Sequence, residues 1–265
     1  MKKVTKLFSL EGKNIVVAGG AGQIGFAMVQ ILADARANIY IADLDVEMAK
    51  QKVNANEELK GKVNIIKLDV SNISSVDAFY QLLGDIKVHG LVNCFHFKGN
   101  TRKLDTTSNF FSGFEEYPEE AWDLVHDVNL KGSFLLSQKL LPKMKNCDAA
   151  IVNVSSTAAL GAHAWTAAYS ASKGGISAFS KTLAVEYGMK GLNINCVCPA
   201  SIETPMSSNP VMPKDIDTRL LKKIMPLDGV NRSPDDIAST IAFLASDDAI
   251  HINGIDLRVD GGLLT

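Results

Sequence analysis

Short apolar runs rich in Val, Ile and Ala recur along the chain, separated by stretches in which apolar residues return every three or four positions. Asn14–Ala18, Asn38–Ala42, Val63–Leu68, Val88–Asn93, Ala149–Val154, Leu192–Val197 and Ile255–Val259 read as strands. Several are apolar throughout, as strands buried on both faces of a parallel sheet are. Between them Ile24–Arg36, Val46–Leu59, Ile73–Leu83, Pro118–Met144, Ala167–Met189 and Pro234–Ser246 read as helices. Pro118 suits a first helical turn, and Ser233-Pro234-Asp235-Asp236 supplies an N-cap, a Pro and acids at the positive end of the dipole. Regular alternation of the two predicts an α/β fold: a doubly wound parallel sheet of about seven strands flanked by helices, one Rossmann-type domain over residues 1–265. Ligands bind such sheets at the carboxyl ends of the strands. Two long stretches fit neither period, Cys94–Tyr117 and Pro199–Asp215, and loops of that length are usually functional or mobile.

Composition narrows the classes. The 265 residues are 46% hydrophobic with a net charge of −2, and the basic residues are dispersed, which leaves no footprint for nucleic acid or a membrane surface. No apolar run follows Met1-Lys2-Lys3, and none approaches the length of a membrane span. Cys94, Cys147, Cys196 and Cys198 are scattered, and no Cys/His set has metal-ligand spacing. Buried structural thiols and a reduced cytoplasmic setting are expected, with no metal.

Two constellations carry chemistry. The first strand runs into Ala18-Gly19-Gly20-Ala21-Gly22-Gln23-Ile24-Gly25, where a helix opens. Such a turn lets backbone approach a pyrophosphate, which then sits on the helix N-terminus. Asp43, ending the second strand, is placed to hydrogen-bond a ribose 2′-hydroxyl, although it also suits a helix N-cap. An acid there repels a 2′-phosphate, and neither 18–25 nor 44–46 holds a Lys or Arg to offset it. NAD is therefore expected rather than NADP.

Further along, Tyr169 and Lys173 stand four apart on one helical face, and Ser156 ends a strand upstream. A free Tyr titrates near ~10, and a neighbouring cation lowers that value toward the range useful for proton transfer. Taken alone, the pair also describes a surface helix with a solvated Lys.

These motifs, with Leu68-Asp69-Val70, Asn93, Asp127-Val128-Asn129, Asn153-Val154-Ser155-Ser156, Pro199…Thr204 and Val259-Asp260-Gly261-Gly262, make the chain resemble a short-chain dehydrogenase/reductase from about Gly12 to Gly262. The resemblance implies that Tyr169 exchanges a proton with the substrate oxygen and that Lys173 lowers the phenol pKa and holds the nicotinamide ribose. It also implies that Ser156 bonds the substrate oxygen and that Asn129 supports a water-linked path to Lys173. Gly19, Gly22, Gln23, Ile24 and Gly25 would meet the pyrophosphate, Asp69 and Val70 the adenine, and Asn93 the strand end beside the cofactor. Pro199, Ile202 and Thr204 would border and hold the carboxamide. A homo-oligomer, tetramer or dimer, is implied through the helices at Pro118–Met144 and Ala167–Met189.

The chain departs from that family at Ala18, at Gln23 where a glycine is usual, at Ala200, and at Asn93-Cys94-Phe95-His96, where Phe and His are bulky beside a cofactor. The stretch from Lys98 to Tyr117 is long and carries Arg102, Lys103, Phe110, Phe111 and Phe114, as a substrate wall, or as a self-packed loop or subunit contact. His163 is expected to border the pocket. The function expected is interconversion of a secondary alcohol and a ketone on a sugar, polyol or sugar acid. The alternatives are a 3-oxoacyl-carrier-protein reductase and a catalytically silent dinucleotide-binding sensor or partner subunit.

Overall fold

A computed structural model describes residues 8–97, 113–161, 163–203 and 217–265. Seven parallel strands form one sheet: β1 (Asn14–Ala18), β2 (Asn38–Asp43), β3 (Val63–Lys67), β4 (Gly90–Asn93), β5 (Ala149–Val154), β6 (Leu192–Pro199) and β7 (Asp256–Val259). Their order is β3-β2-β1-β4-β5-β6-β7, so the winding reverses between β1 and β4. The helices are α1 (Gln23–Asp34), α2 (Val46–Asn54), α3 (Ile73–Leu82), α4 (Glu119–His126), α5 (Gly132–Met144), α6 (Ala167–Tyr187) and α7 (Pro234–Leu244). None in the described residues is long and apolar enough to cross a membrane.

The alternation of side chains along each strand sorts the core into two layers. Ile15 and Val17 of β1, with Ile39, Ile41, Val92, Val152 and Val197, pack under α1 and α7 through Met28, Leu32, Ile237 and Ile241. Val16 and Ala18 point the other way, with Leu91, Ile151 and Ile194, and meet Phe79, Leu136, Leu140 and Ala184 of α3, α5 and α6. Both faces are covered, which explains why the strands read as unbroken apolar runs. Element ends shift by a few residues: β4 begins at Gly90 rather than Val88, and α2 stops at Asn54 before a separate 3-10 turn at Glu57–Leu59. At α7 the expected cap forms: Ser233 Oγ accepts the Asp235 N–H and Asp236 accepts the Ser233 N–H.

One difference bears on function. The single helix expected over 118–144 is divided by a π-helical turn, Asp127–Lys131, between α4 and α5. Such turns insert an extra residue without ending the helix, so no helix-ending residue marks them in the sequence.

Leu140, fully buried between α5 and the sheet, gives a test of this layering. Leu140→Ala should lower unfolding stability by about 2–5 kcal/mol, read as a reduced urea midpoint with an unchanged slope. A loss below about 0.5 kcal/mol would mean that the α5 face is not packed as described.

Candidate active site

The reversal of winding brings the ends of β1 and β4 together. After Ala18 the chain turns at Gly19, whose φ is +82°, a conformation side chains disfavour. A Cβ on Gly19 would lie 2.5 Å from the Phe95 nitrogen, and one on Gly25 would lie 2.1 Å from the Gly19 carbonyl oxygen. Neither position accepts a side chain. Gly22 is the N-cap of α1 and has no side-chain hydrogen bond, no acid occupies the first turn, and the Phe26 N–H bonds the Gly22 carbonyl. The N–H groups of Gln23, Ile24 and Gly25 precede the helical ladder and form an end suited to an anion. The cradle therefore fits a dinucleotide pyrophosphate. Gln23 does not obstruct it, since it is the first residue of α1 with an exposed side chain. Phe95 lays its backbone on Gly19 but packs its ring with the layer that contains Leu68 and Val70.

Asp43 ends β2 and turns back on the glycine turn. Its Oδ2 accepts the Ala21 N–H at 2.9 Å and its Oδ1 accepts the Asp45 N–H at 2.9 Å. The N-cap of α2 is Asp45, so Asp43 is not the cap. Lys52, one helix further on, donates to the Ala21 carbonyl at 2.7 Å. Local sequence showed no cation near Asp43; the fold supplies one. Asp69 shapes the turn after β3, accepting the Ser71 N–H at 3.0 Å and its hydroxyl at 2.6 Å, while Asn72 caps α3. Val70 packs where Gly132 of α5 has no side chain.

Ser156, Tyr169 and Lys173 come together at the carboxyl end of β5, all of them buried. The Lys173 ammonium is 1% exposed and donates to the Val154 carbonyl at 2.6 Å, lying 5.7 Å from the centre of the Tyr169 ring. Burying an unpaired charge costs several kcal/mol, so this anchor fixes where the cation sits. The phenol does not follow the sequence expectation of a lowered pKa. Burial pushes Tyr169 up to about 12, and a hydrogen bond from Ser156 only partly counters it. The Ser156 Oγ also accepts the Ala158 N–H at 3.1 Å, which orients it.

Asn129 sits in the π-helical turn, fully buried. Its Oδ1 accepts the Phe97 N–H at 2.6 Å, and its Nδ2 donates to the Phe97 carbonyl at 2.9 Å and to Ser172 Oγ at 3.1 Å. One amide thus joins the segment after β4 to the helix of Tyr169 and Lys173. Ser133 Oγ bonds the Asn129 carbonyl at 2.7 Å. Asn93 donates to Asn153 Oδ1 at 2.7 Å, and Asn153 donates to Ser180 Oγ at 2.8 Å. Asn93 Oδ1 has no partner among the described residues. This linkage of β4, β5 and α6, with the roles of Ser172, Ser180 and Lys52, escaped sequence reading because each partner is distant in the chain.

Pro199 ends β6 and accepts from Thr157 Oγ1 at 3.2 Å, and Ile202 bridges to Arg232 beyond it. Thr204, Arg102, Lys103, Phe110 and Phe111 lie outside the described residues, whereas Phe114 is 80% exposed. Beside the first turn of α6 is a cavity of about 280 Å³ bordered by His163, Ser170, Leu220 and Lys223. Ser170 is about 100° round the helix from Tyr169. Burial pushes His163 down to about 4, and its buried Nε2 has no partner among the described residues. Trp165, in the same loop, has φ +62°, a conformation a bulky side chain holds only when its surroundings impose it.

A family model described as "Enoyl-(Acyl carrier protein) reductase" matches residues 19–264. The chain is 35% identical over 260 residues to a D-threitol dehydrogenase of Mycolicibacterium smegmatis, covering 96% of this chain and 94% of that one. It is 34% identical over 260 residues to a 3-oxoacyl-[acyl-carrier-protein] reductase of Thermotoga maritima, covering 96% and 99%. A solved structure from Agrobacterium tumefaciens, assigned provisionally as a gluconate dehydrogenase, aligns with a TM-score of 0.84 at 26% identity over 98% of each chain.

The His163 environment makes stability depend on pH. Its folded pKa of about 4 lies below the ordinary 6.5, so the contribution is complete above about 6.5 and is lost as pH falls toward 4, where the unfolded chain binds the extra proton. Urea midpoints should therefore drop more between about pH 7 and 5 for the native chain than for His163→Gln. Equal drops would rule out the buried neutral imidazole.

Proposed function

The chain belongs to the short-chain dehydrogenase/reductase family, oxidoreductases acting on alcohol and ketone substrates with a nicotinamide dinucleotide, and from that premise we propose that it uses NAD to interconvert a secondary alcohol and a ketone on a sugar, polyol or sugar acid. The observation that carries the reading is the burial of Ser156 and Tyr169 together with the anchored Lys173 ammonium at the carboxyl end of β5. That end faces the same rim of the sheet as the glycine cradle.

A nicotinamide held beside the cradle would supply the hydride chemistry. The remaining work falls to the chain. Ser156 and Tyr169 are buried side by side, so both hydroxyls can meet a single substrate oxygen. In oxidation the Tyr169 phenolate takes the proton of the alcohol, and in reduction the Tyr169 hydroxyl returns a proton to the substrate oxygen. A phenol pushed up to about 12 rests protonated at neutral pH, which suits the reductive step. The Ser156 donor and the Lys173 cation favour the phenolate that oxidation needs. Asn129 positions these groups by tying Phe97 to Ser172. The glycine turn holds the pyrophosphate, and Asp43 the adenosine ribose in preference to a 2′-phosphate.

The substrate class is supported by the polyol and sugar-acid names among the similar proteins. It is also supported by the cavity beside α6, where His163, Ser170 and Lys223 offer polar and cationic contacts. A 3-oxoacyl reductase is the second reading, favoured by the likeness to the Thermotoga maritima protein. Self-association through α4, α5 and α6 accords with the exposed Trp122, Phe134 and Val185 on those helices.

Tyr169→Phe should lower turnover on a polyol or sugar acid by at least about 100-fold while NADH still binds, as followed by nicotinamide absorbance and protein fluorescence. Unchanged turnover would sink the mechanism, and turnover confined to 3-oxoacyl thioesters would promote the second reading. Lys223→Met should raise KM about tenfold for sugar acids and leave neutral polyols within about twofold. Equal effects on both would remove Lys223 from substrate recognition.

A further inference from the structure

Ala21, inside the glycine turn, is gripped at both backbone groups by charged side chains from outside the turn. The Asp43 carboxylate takes its N–H at 2.9 Å, and the Lys52 ammonium gives a hydrogen bond to its carbonyl at 2.7 Å. Lys52 is partly buried, and its nitrogen stands 5.2 Å from the centre of the Phe26 ring on α1. Burial lowers the Lys52 pKa, and the nearby Asp43 carboxylate raises it, so the ammonium feels the carboxylate across Ala21.

We propose that Lys52 is a dinucleotide-selecting residue, forming with Asp43 a two-charge filter at the adenosine end of the cradle. Asp43 favours a ribose with free hydroxyls, and Lys52 offers the cation that a 2′-phosphate requires. The pair therefore lets the protein take NADP(H) as a second cofactor while NAD(H) remains preferred. This rests on the reading of Asp43 as the ribose-binding acid. The argument is electrostatic: an acid standing alone at that position excludes a phosphate, and an ammonium held beside it by a hydrogen bond and an aromatic face offsets the exclusion. The lysine is fixed there independently of any ligand, because the Ala21 carbonyl already holds it.

Dissociation constants for NADH and NADPH, read by quenching of protein fluorescence, test the filter. Lys52→Gln removes the charge and keeps a hydrogen-bond donor; it should weaken NADPH about tenfold and change NADH by less than about threefold. Lys52→Arg keeps the cation and should retain most NADPH binding; together with circular dichroism it separates loss of charge from loss of fold. Equal weakening of both cofactors by Lys52→Gln would make Lys52 a clamp on the turn only, and unchanged NADPH binding would likewise overturn the proposal. Asp43→Asn should tighten NADPH. If it leaves the ratio of the two constants unaltered, the reading of Asp43 fails by itself, while the Lys52 series still decides the role of the lysine.

Discussion

The site depends on a steric constraint at the point where the sheet reverses its winding. The Phe95 backbone passes so close to Gly19, and the Gly19 carbonyl so close to Gly25, that no Cβ fits at either glycine. This contact sets the depth of the turn between β1 and α1, and with it the place where the free N–H groups of α1 present themselves. It also fixes the start of the segment after β4, which Asn129 then secures at Phe97. Glycines that look interchangeable in sequence thus do different work: Gly19 and Gly25 make room for backbone, while Gly22 leaves a helix end uncapped.

Around that contact the fold invests in buried polar groups rather than in more apolar surface. Lys173 is held by Val154, Asn129 by Phe97 and Ser172, and Asn153 by Asn93 and Ser180. Each would be costly if unpaired, so each link is specific about geometry as well as stabilising. The π-helical turn belongs to the same scheme. It lets α4 and α5 continue along the sheet while placing the Asn129 amide between two segments that approach from different strands.

The strands and most helices were legible in the sequence because the two layers impose simple periods on residues such as Ile15–Ala18 and on the capped start of α7. The grouping of Ser156, Tyr169 and Lys173 was legible as well, since Tyr169 and Lys173 are joined by helical spacing and Ser156 follows the end of a strand. The protonation tendency of Tyr169 was not legible. A neighbouring cation lowers a phenol pKa in general, but burial dominates at Tyr169, and the degree of burial is a property of the packed molecule. The π-helical turn was invisible because the helix runs on through it, with no Pro or cap inside Asp127–Lys131 to mark it.

The sequence by itself determined the α/β alternation, the glycine turn and the grouping of Ser156, Tyr169 and Lys173, because each is written within one element or across one loop. Tertiary structure decided what surrounds those groups: Phe95 against Gly19, the Asn129 link to Phe97, and Lys52 beside Asp43. Contacts of that kind join residues far apart in the chain, and their distances follow from how strands order and helices pack. A reading confined to neighbours along the chain saw an acid alone at the end of β2. The folded protein sets a lysine beside it.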